Sequence, residues 1–290
     1  MPELVQSGLT VLRDESVPRE RVQQWQATLK GPDKKLATSI ATVLAKDAAP
    51  PAERIHNRLR LARDITSYDA SYDTAAVVSE NVVSLTRIAS QLGADPLPAA
   101  KDAIVRARGL VKAEPDNGRG HAILAVALEN AATYGIASDP LEWLGLYRSC
   151  ATHKGPDYCR PGHARVAQAY AAPRCVRLPA ELALDVGDVT ELASGADVQS
   201  VTLVPGKKGP ERIDLILSAK AGEKLRKATG GTATEARIRL GNESLIGTPI
   251  RENVSDRISV VTRDMDATFA KLCPTPERRT VPAELALPQP

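Results

Sequence analysis

Aromatic side chains are nearly missing from this chain: Phe, Trp and Tyr make up 3% of its 290 residues, with a single Phe. Its cores must therefore be filled by Ala, Val, Leu and Ile, which favours close-packed helices, and a hydrophobic fraction of 43% is enough to build them. No run approaches the ~20 apolar residues of a membrane span. Met1-Pro2-Glu3-Leu4 also lacks the basic-then-apolar pattern of a signal peptide. The chain as it stands is expected to be soluble, with any export signal or lipid anchor lying outside it. Charge of one sign is lacking too. Lys and Arg number 38 against 35 Asp and Glu, a net charge of +3, whereas a nucleic-acid binder carries a stronger basic bias on some face. No nucleic-acid partner is expected.

Enzyme signatures are equally sparse. There is no Gly-x-Ser-x-Gly, and Gly241-Asn242-Glu243-Ser244 has the composition of a turn. Gly206-Lys207-Lys208 lacks the glycine five positions earlier, where Val201 stands, and the Ser or Thr that a phosphate loop requires. It reads as a basic hairpin tip. Asp264 and Asp266 precede an apolar segment and are expected to cap a helix rather than act as paired carboxylates. Arg54, Arg58, Arg60 and Arg63 read as a solvated basic helix face. No catalytic residue and no cofactor is expected.

What the chain does contain is helical periodicity followed by strand alternation. A length of 290 residues exceeds the usual single domain, so two are expected. Met1 to Pro18 gives no clear element. Val22, Trp25 and Leu29, then Leu36, Ile40, Val43 and Leu44, then Ile55, Leu59 and Ala62, then Val77, Val78, Val82, Leu85 and Ile88 have the 3.6-residue spacing of antiparallel helices. Gly31-Pro32-Asp33 and Ala48 to Pro51 punctuate them.

Between Leu85 and Ala172 the pattern becomes more specific. Ala103, Ala107, Leu110 and Pro115 have the spacing of a second repeat helix and its terminating proline. After the Pro115-Asp116-Asn117 turn, His121, Leu124, Ala125 and Leu128 fall where the next first helix places its packing residues. Leu144, Ala151 and Pro156, then His163, Val166, Ala167 and Tyr170, repeat both halves. This stretch resembles tetratricopeptide repeats. The two prolines are 41 residues apart against about 34 in the standard repeat, which an insertion around Gly135 to Pro140 accounts for. The resemblance implies a concave surface for a peptide or protein partner.

Pro173 to Pro179 breaks the helical pattern. Leu184, Val186, Val189 and Leu192 open the next part, and Val198 to Val204 and Ile213 to Leu217 flank a hairpin at Pro205 to Pro210. Apolar alternation at Ile213, Leu215 and Leu217 returns at Ala236, Ile238 and Leu240, with a helix between them. Ser218 is its cap, Ala221, Leu225 and Ala228 its buried face and Gly230-Gly231 its end. Strand, helix, strand, turn and strand, with the Ser-Ala-Lys-Ala-Gly helix start, Thr229 and the Pro249-Ile250 run, resemble the head of the first periplasmic domain of SecD. Gly241-Asn242-Glu243-Ser244 stands in the turn where that family usually carries Asp-Gly. The resemblance implies one α+β sheet domain that handles exported polypeptide or docks to an envelope assembly, not a proton-driven motor. Met265 to Leu272 is expected to close it as a short helix.

Cys150, Cys159, Cys175 and Cys273 allow three pairings. On the repeat reading Cys150 ends one helix and Cys159 precedes the next, so a bond between them staples a hairpin, while Cys175 and Cys273 bracket the second domain. Two structural disulfides and an oxidising compartment are the preferred reading. Zinc held by Cys150, His153, Cys159 and His163 is an alternative, and four reduced, packed thiols a third. The expectation is thus an α-helical repeat domain (1–172), an α+β domain (173–273) and a Pro-rich extended tail (274–290). It describes a non-enzymatic binding or scaffold protein, periplasmic or envelope-associated, with a hydrolase using an interdomain cleft and a cytosolic zinc-stabilised adaptor as the rival readings.

Overall fold

The computed structural model describes residues 3–13, 15, 17–45, 49–206, 209–229, 234–250 and 257–287. Two compact units divide the chain, one formed by Met1–His163 with the C-terminal residues from Leu287 and the other by Ala164–Ala286, the boundary falling inside the last helix of the helical part. The first is helical and the second carries antiparallel sheets.

The helical part consists of α1 (Glu3–Leu12), α2 (Arg19–Thr28), α3 (Gly31–Ala45), α4 (Pro51–Tyr68), α5 (Tyr72–Gln91), α6 (Leu97–Ala113), α7 (Gly118–Thr133), α8 (Pro140–Thr152) and α9 (Cys159–Tyr170). Each of the helices expected from periodicity forms. The starts follow local chemistry: the Ser71 hydroxyl accepts the Thr74 N–H at 3.3 Å, and Asn117 and Asp139 cap α7 and α8 through Arg119 N at 3.0 Å and Leu141 N at 2.9 Å. Pro51 and Pro140 stand at first helical positions, where a missing N–H costs nothing. Asp69 accepts from the Thr74 hydroxyl and the Ser71 amide, and these bonds, the first foremost, hold its carboxyl below the ordinary range.

The unassigned entry segment forms α1. Leu4, Val5, Leu9, Val11 and Leu12 are buried, and Gly8 faces Ile65, a Cβ there lying 3.1 Å from Cδ1 of the isoleucine. Gly31 does not break the chain between helices but begins α3, with φ at +57°. The basic face expected on α4 is only partly solvated: Arg60 and Arg63 are exposed, Arg54 is half-buried and Arg58 is buried at 3% exposure. Because α4 packs against α1, α3 and α5, it has too little free surface for four solvated guanidiniums.

The second part holds β1 (Arg174–Cys175), β2 (Leu182–Val186), β3 (Val189–Ser194), β4 (Val198–Gly206), β5 (Gly209–Leu217), α10 (Ala219–Thr229), β6 (Thr234–Leu240), β7 (Glu243–Ile250), β8 (Arg257–Val260) and α11 (Met265–Leu272). One sheet runs β1-β4-β5-β8 and the other β3-β2-β6-β7. The strands around Ile213 to Leu217 and Ala236 to Leu240 therefore belong to different sheets, not to one as expected. Each pairs with another neighbour, β5 with β4 and β8, β6 with β2 and β7. The helix between them gives the chain room to change sheets. Alternation decides which side chains face inward but not which strand lies alongside.

The inward faces are as expected at Ile213, Leu215, Leu217, Ala236 and Ile238, all at most 1% exposed, while Leu240 is half-buried. Ala221 and Leu225 are fully buried on α10, which packs on β2, β3 and β5 and so covers strands of both sheets. The Ser218 hydroxyl accepts the Ala221 N–H at 3.2 Å. The expected terminator Gly230-Gly231 and the hairpin tip Lys207-Lys208 lie outside the described residues. The β6–β7 hairpin pairs Leu240 with Glu243 and leaves Gly241-Asn242 as its turn, Gly241 at φ +57°, a conformation that favours glycine. Asp264 caps α11 by accepting the Ala267 N–H at 3.0 Å.

The described part of the segment after Cys273 is tied down at several points. Arg174 and Glu277 exchange two backbone bonds of 2.9 and 2.8 Å, Arg279 lies over the Tyr170 ring at 4.8 Å, and Ala283–Leu285 forms a 3-10 turn.

Candidate functional site

Polar and aromatic groups gather where α5 and α7 begin in the helical unit. The turn Glu114-Pro115-Asp116-Asn117 and His153, at the end of α8, line an open cavity of ≈ 550 Å³. Asn117 is held from both sides: its amide donates to Glu114 Oε2 at 2.8 Å and its carbonyl accepts from Arg119 N. Two hydrogen bonds thus orient the Asn117 side chain where the turn borders the cavity. His121 is buried, its Nε2 lies 2.7 Å from the Pro115 carbonyl, and its ring stacks on His153 with centroids 6.0 Å apart.

Beside the turn, Arg119 grips Glu80 of α5 with Nε–Oε1 at 2.9 Å and Nη2–Oε2 at 3.0 Å, and lies 3.9 Å from Asp73. The Glu80 carboxylate raises the Arg119 pKa further. Tyr72 packs against Gly120, whose missing side chain makes room for the phenol oxygen. Burial, then the Glu114 carboxylate, raises the Tyr72 pKa. Tyr158 is 46% exposed, and burial followed by Glu80 raises its pKa. Carboxylates and an imidazole thus line the cavity, with one satisfied guanidinium and an exposed phenol on neighbouring residues. Such groups can hydrogen-bond an extended segment or stack against its side chains.

Both cysteine pairs are bonded, Cys150 with Cys159 and Cys175 with Cys273, at Cα separations of 6.0 and 5.5 Å, within the usual disulfide range. The first joins the last turn of α8 to the first residue of α9. Of the residues in the zinc alternative, Cys150, His153, Cys159 and His163, the two cysteines are bonded to each other and His153 stacks on His121. Among the described residues no group of three or more His, Cys, Asp or Glu is placed to hold a metal.

His121 and Asn117 were marked by the repeat pattern, but Glu80, Arg119, Tyr72 and Tyr158 were not. Glu80 and Arg119 are 39 residues apart and leave no local signature; Tyr158, a rare aromatic beside Cys159, was the one visible cue. No family description, curated protein or solved structure matches the chain.

Proposed function

We propose that this protein is a non-enzymatic binding scaffold of a bacterial cell envelope. Its helical unit, read as a tetratricopeptide-like stack, holds a peptide or protein segment at the end formed by Glu114, Asp116, His153 and Tyr158. The second unit, read as similar to the SecD periplasmic head, docks to an envelope assembly or to exported polypeptide. The observation that carries the reading is the packing of α5 on both α6 and α7, as in a repeat stack whose alternate helices share one face. The two disulfides support an oxidising compartment.

A photoreactive residue placed at Asp116 or Tyr158 in cells of the source organism tests this, with Val261, 70% exposed on the second unit, as the comparison. Discrete polypeptide adducts from the first two positions are expected. Adducts from Val261 alone would place binding on the second unit and overturn the assignment of the helical one.

A further inference from the structure

We propose that formation of the Cys150–Cys159 bond is the step that completes this site, so that the reduced chain folds its helices but leaves the wall carrying His153 and Tyr158 loose. The eight residues between the cysteines, 151–158, supply both side chains. Their backbone is wedged against the start of α7. A Cβ on Gly118 would lie 2.5 Å from Gly155 N and 2.8 Å from the Cys150 carbonyl, and that same carbonyl accepts the Gly155 N–H at 2.8 Å.

The sulfur belongs to this stack. Cys150 Sγ occupies the place that a Cβ on Gly155 would need, so sulfur, Gly155 and Gly118 press on one another in sequence. Cys150 and Cys159 are 0% and 1% exposed. Two thiols need more room than a bonded pair of sulfurs, and on one side Cys150 Sγ already lies against Gly155. Separating the sulfurs therefore pushes Gly155 off Gly118. Lys154, at φ +54°, takes the left-handed position that follows the α8 C-cap His153, and the Gly155 N–H closes that helix ending on the Cys150 carbonyl.

The chemistry is thiol–disulfide exchange with an external disulfide, small or carried by an oxidoreductase. The two cysteine thiols lose their protons and two electrons and form the S–S bond, and the external disulfide is reduced to two thiols. Once formed, the bond is shielded by its burial, so the device acts at maturation: the site is assembled in the oxidising compartment and not before it.

The test uses the full chain carrying Cys175→Ala and Cys273→Ala, in which only this pair changes state, prepared fully oxidised and fully reduced. Hydrogen exchange is read at amides 151–158 and 118–120, with the amides of α5 as an internal reference. At least tenfold faster exchange in the two segments of the reduced chain, with α5 unchanged, is expected. If that background does not fold, Cys150→Ala with Cys159→Ala is compared with the wild type, the long disulfide being intact in both. Equal exchange at 151–158 with and without the bond overturns the proposal, and so does uniform loosening of the whole helical unit. The inference rests on the site reading above but fails separately from it: a redox-sensitive loop without polypeptide adducts sinks only the proposed function.

Discussion

Arg119 and Glu80 form a two-pronged ion pair, 2.9 and 3.0 Å long, that ties the start of α7 to the middle of α5. Both side chains keep contact with water, at 32% and 42% exposure, so solvent screening reduces what the pair contributes. Arg119→Ala is expected to cost on the order of 1 kcal/mol, and Arg119→Lys about half of that, because an ammonium cannot reproduce the parallel bonds. Urea unfolding monitored by helical circular dichroism checks the order. Equal stability of both variants with the wild type would show that the pair is fully screened.

Gly118 and Gly109 separate packing from propensity. A Cβ at Gly118 meets backbone atoms that cannot rotate away, whereas one at Gly109 in α6 meets nothing within 4 Å. Gly109→Ala is expected to stabilise by about 0.5–1 kcal/mol, and Gly118→Ala to destabilise by about 1–3 kcal/mol. Thermal unfolding of the two variants should move in opposite directions; shifts of the same sign would mean that the loop does not rest on α7.

In the second unit, Leu225 on α10 is 0% exposed and Val261 is 70% exposed. Leu225→Ala should cost about 2–5 kcal/mol, whereas Val261→Ala should stay within about 0.5 kcal/mol. Chemical denaturation followed at strand amides by NMR reads the contrast directly. A silent Leu225→Ala would mean that α10 does not cover the sheets.

Acid should weaken the same unit. The Arg239 guanidinium, bonded to Asp185 at 2.6 and 3.1 Å, and the Glu191 N–H at 2.8 Å hold the Asp185 carboxyl below its ordinary range. A carboxyl depressed in the folded state contributes stability that is present above its unfolded pKa of about 3.9 and is lost as pH falls through the folded value. Asp197, depressed chiefly by the Ser194 N–H, acts in the same direction. Stability is therefore expected to fall below about pH 4, and to fall less steeply in Asp185→Asn. Denaturant midpoints measured between neutral pH and the acid limit check it; identical slopes for the two proteins would remove Asp185 as a source of the acid sensitivity.

Periodicity in the sequence was enough to locate α2 to α9, because a helix repeats its buried positions every three to four residues and needs no distant partner to show it. The inward residues of β5 and β6 were legible for the same reason at period two. α1 left only an apolar patch of Leu4, Leu9, Val11 and Leu12, all buried, too short and uncapped to be read as an element. The Cys150–Cys159 pairing was suggested by where two helices end, and Cys175–Cys273 by the way the two residues bracket the second domain. Only the tertiary structure decided the rest. Sheet membership of β5 and β6 depends on which strand edges meet, and hydrogen bonding between strands carries no sequence code of its own. Burial of Arg58 depends on how many helices surround α4. The candidate site itself joins Glu80 of α5, Arg119 of α7, Asp116 of the turn before α7, and His153 and Tyr158 of the segment between α8 and α9, a proximity that only the packing of distant parts of the backbone creates.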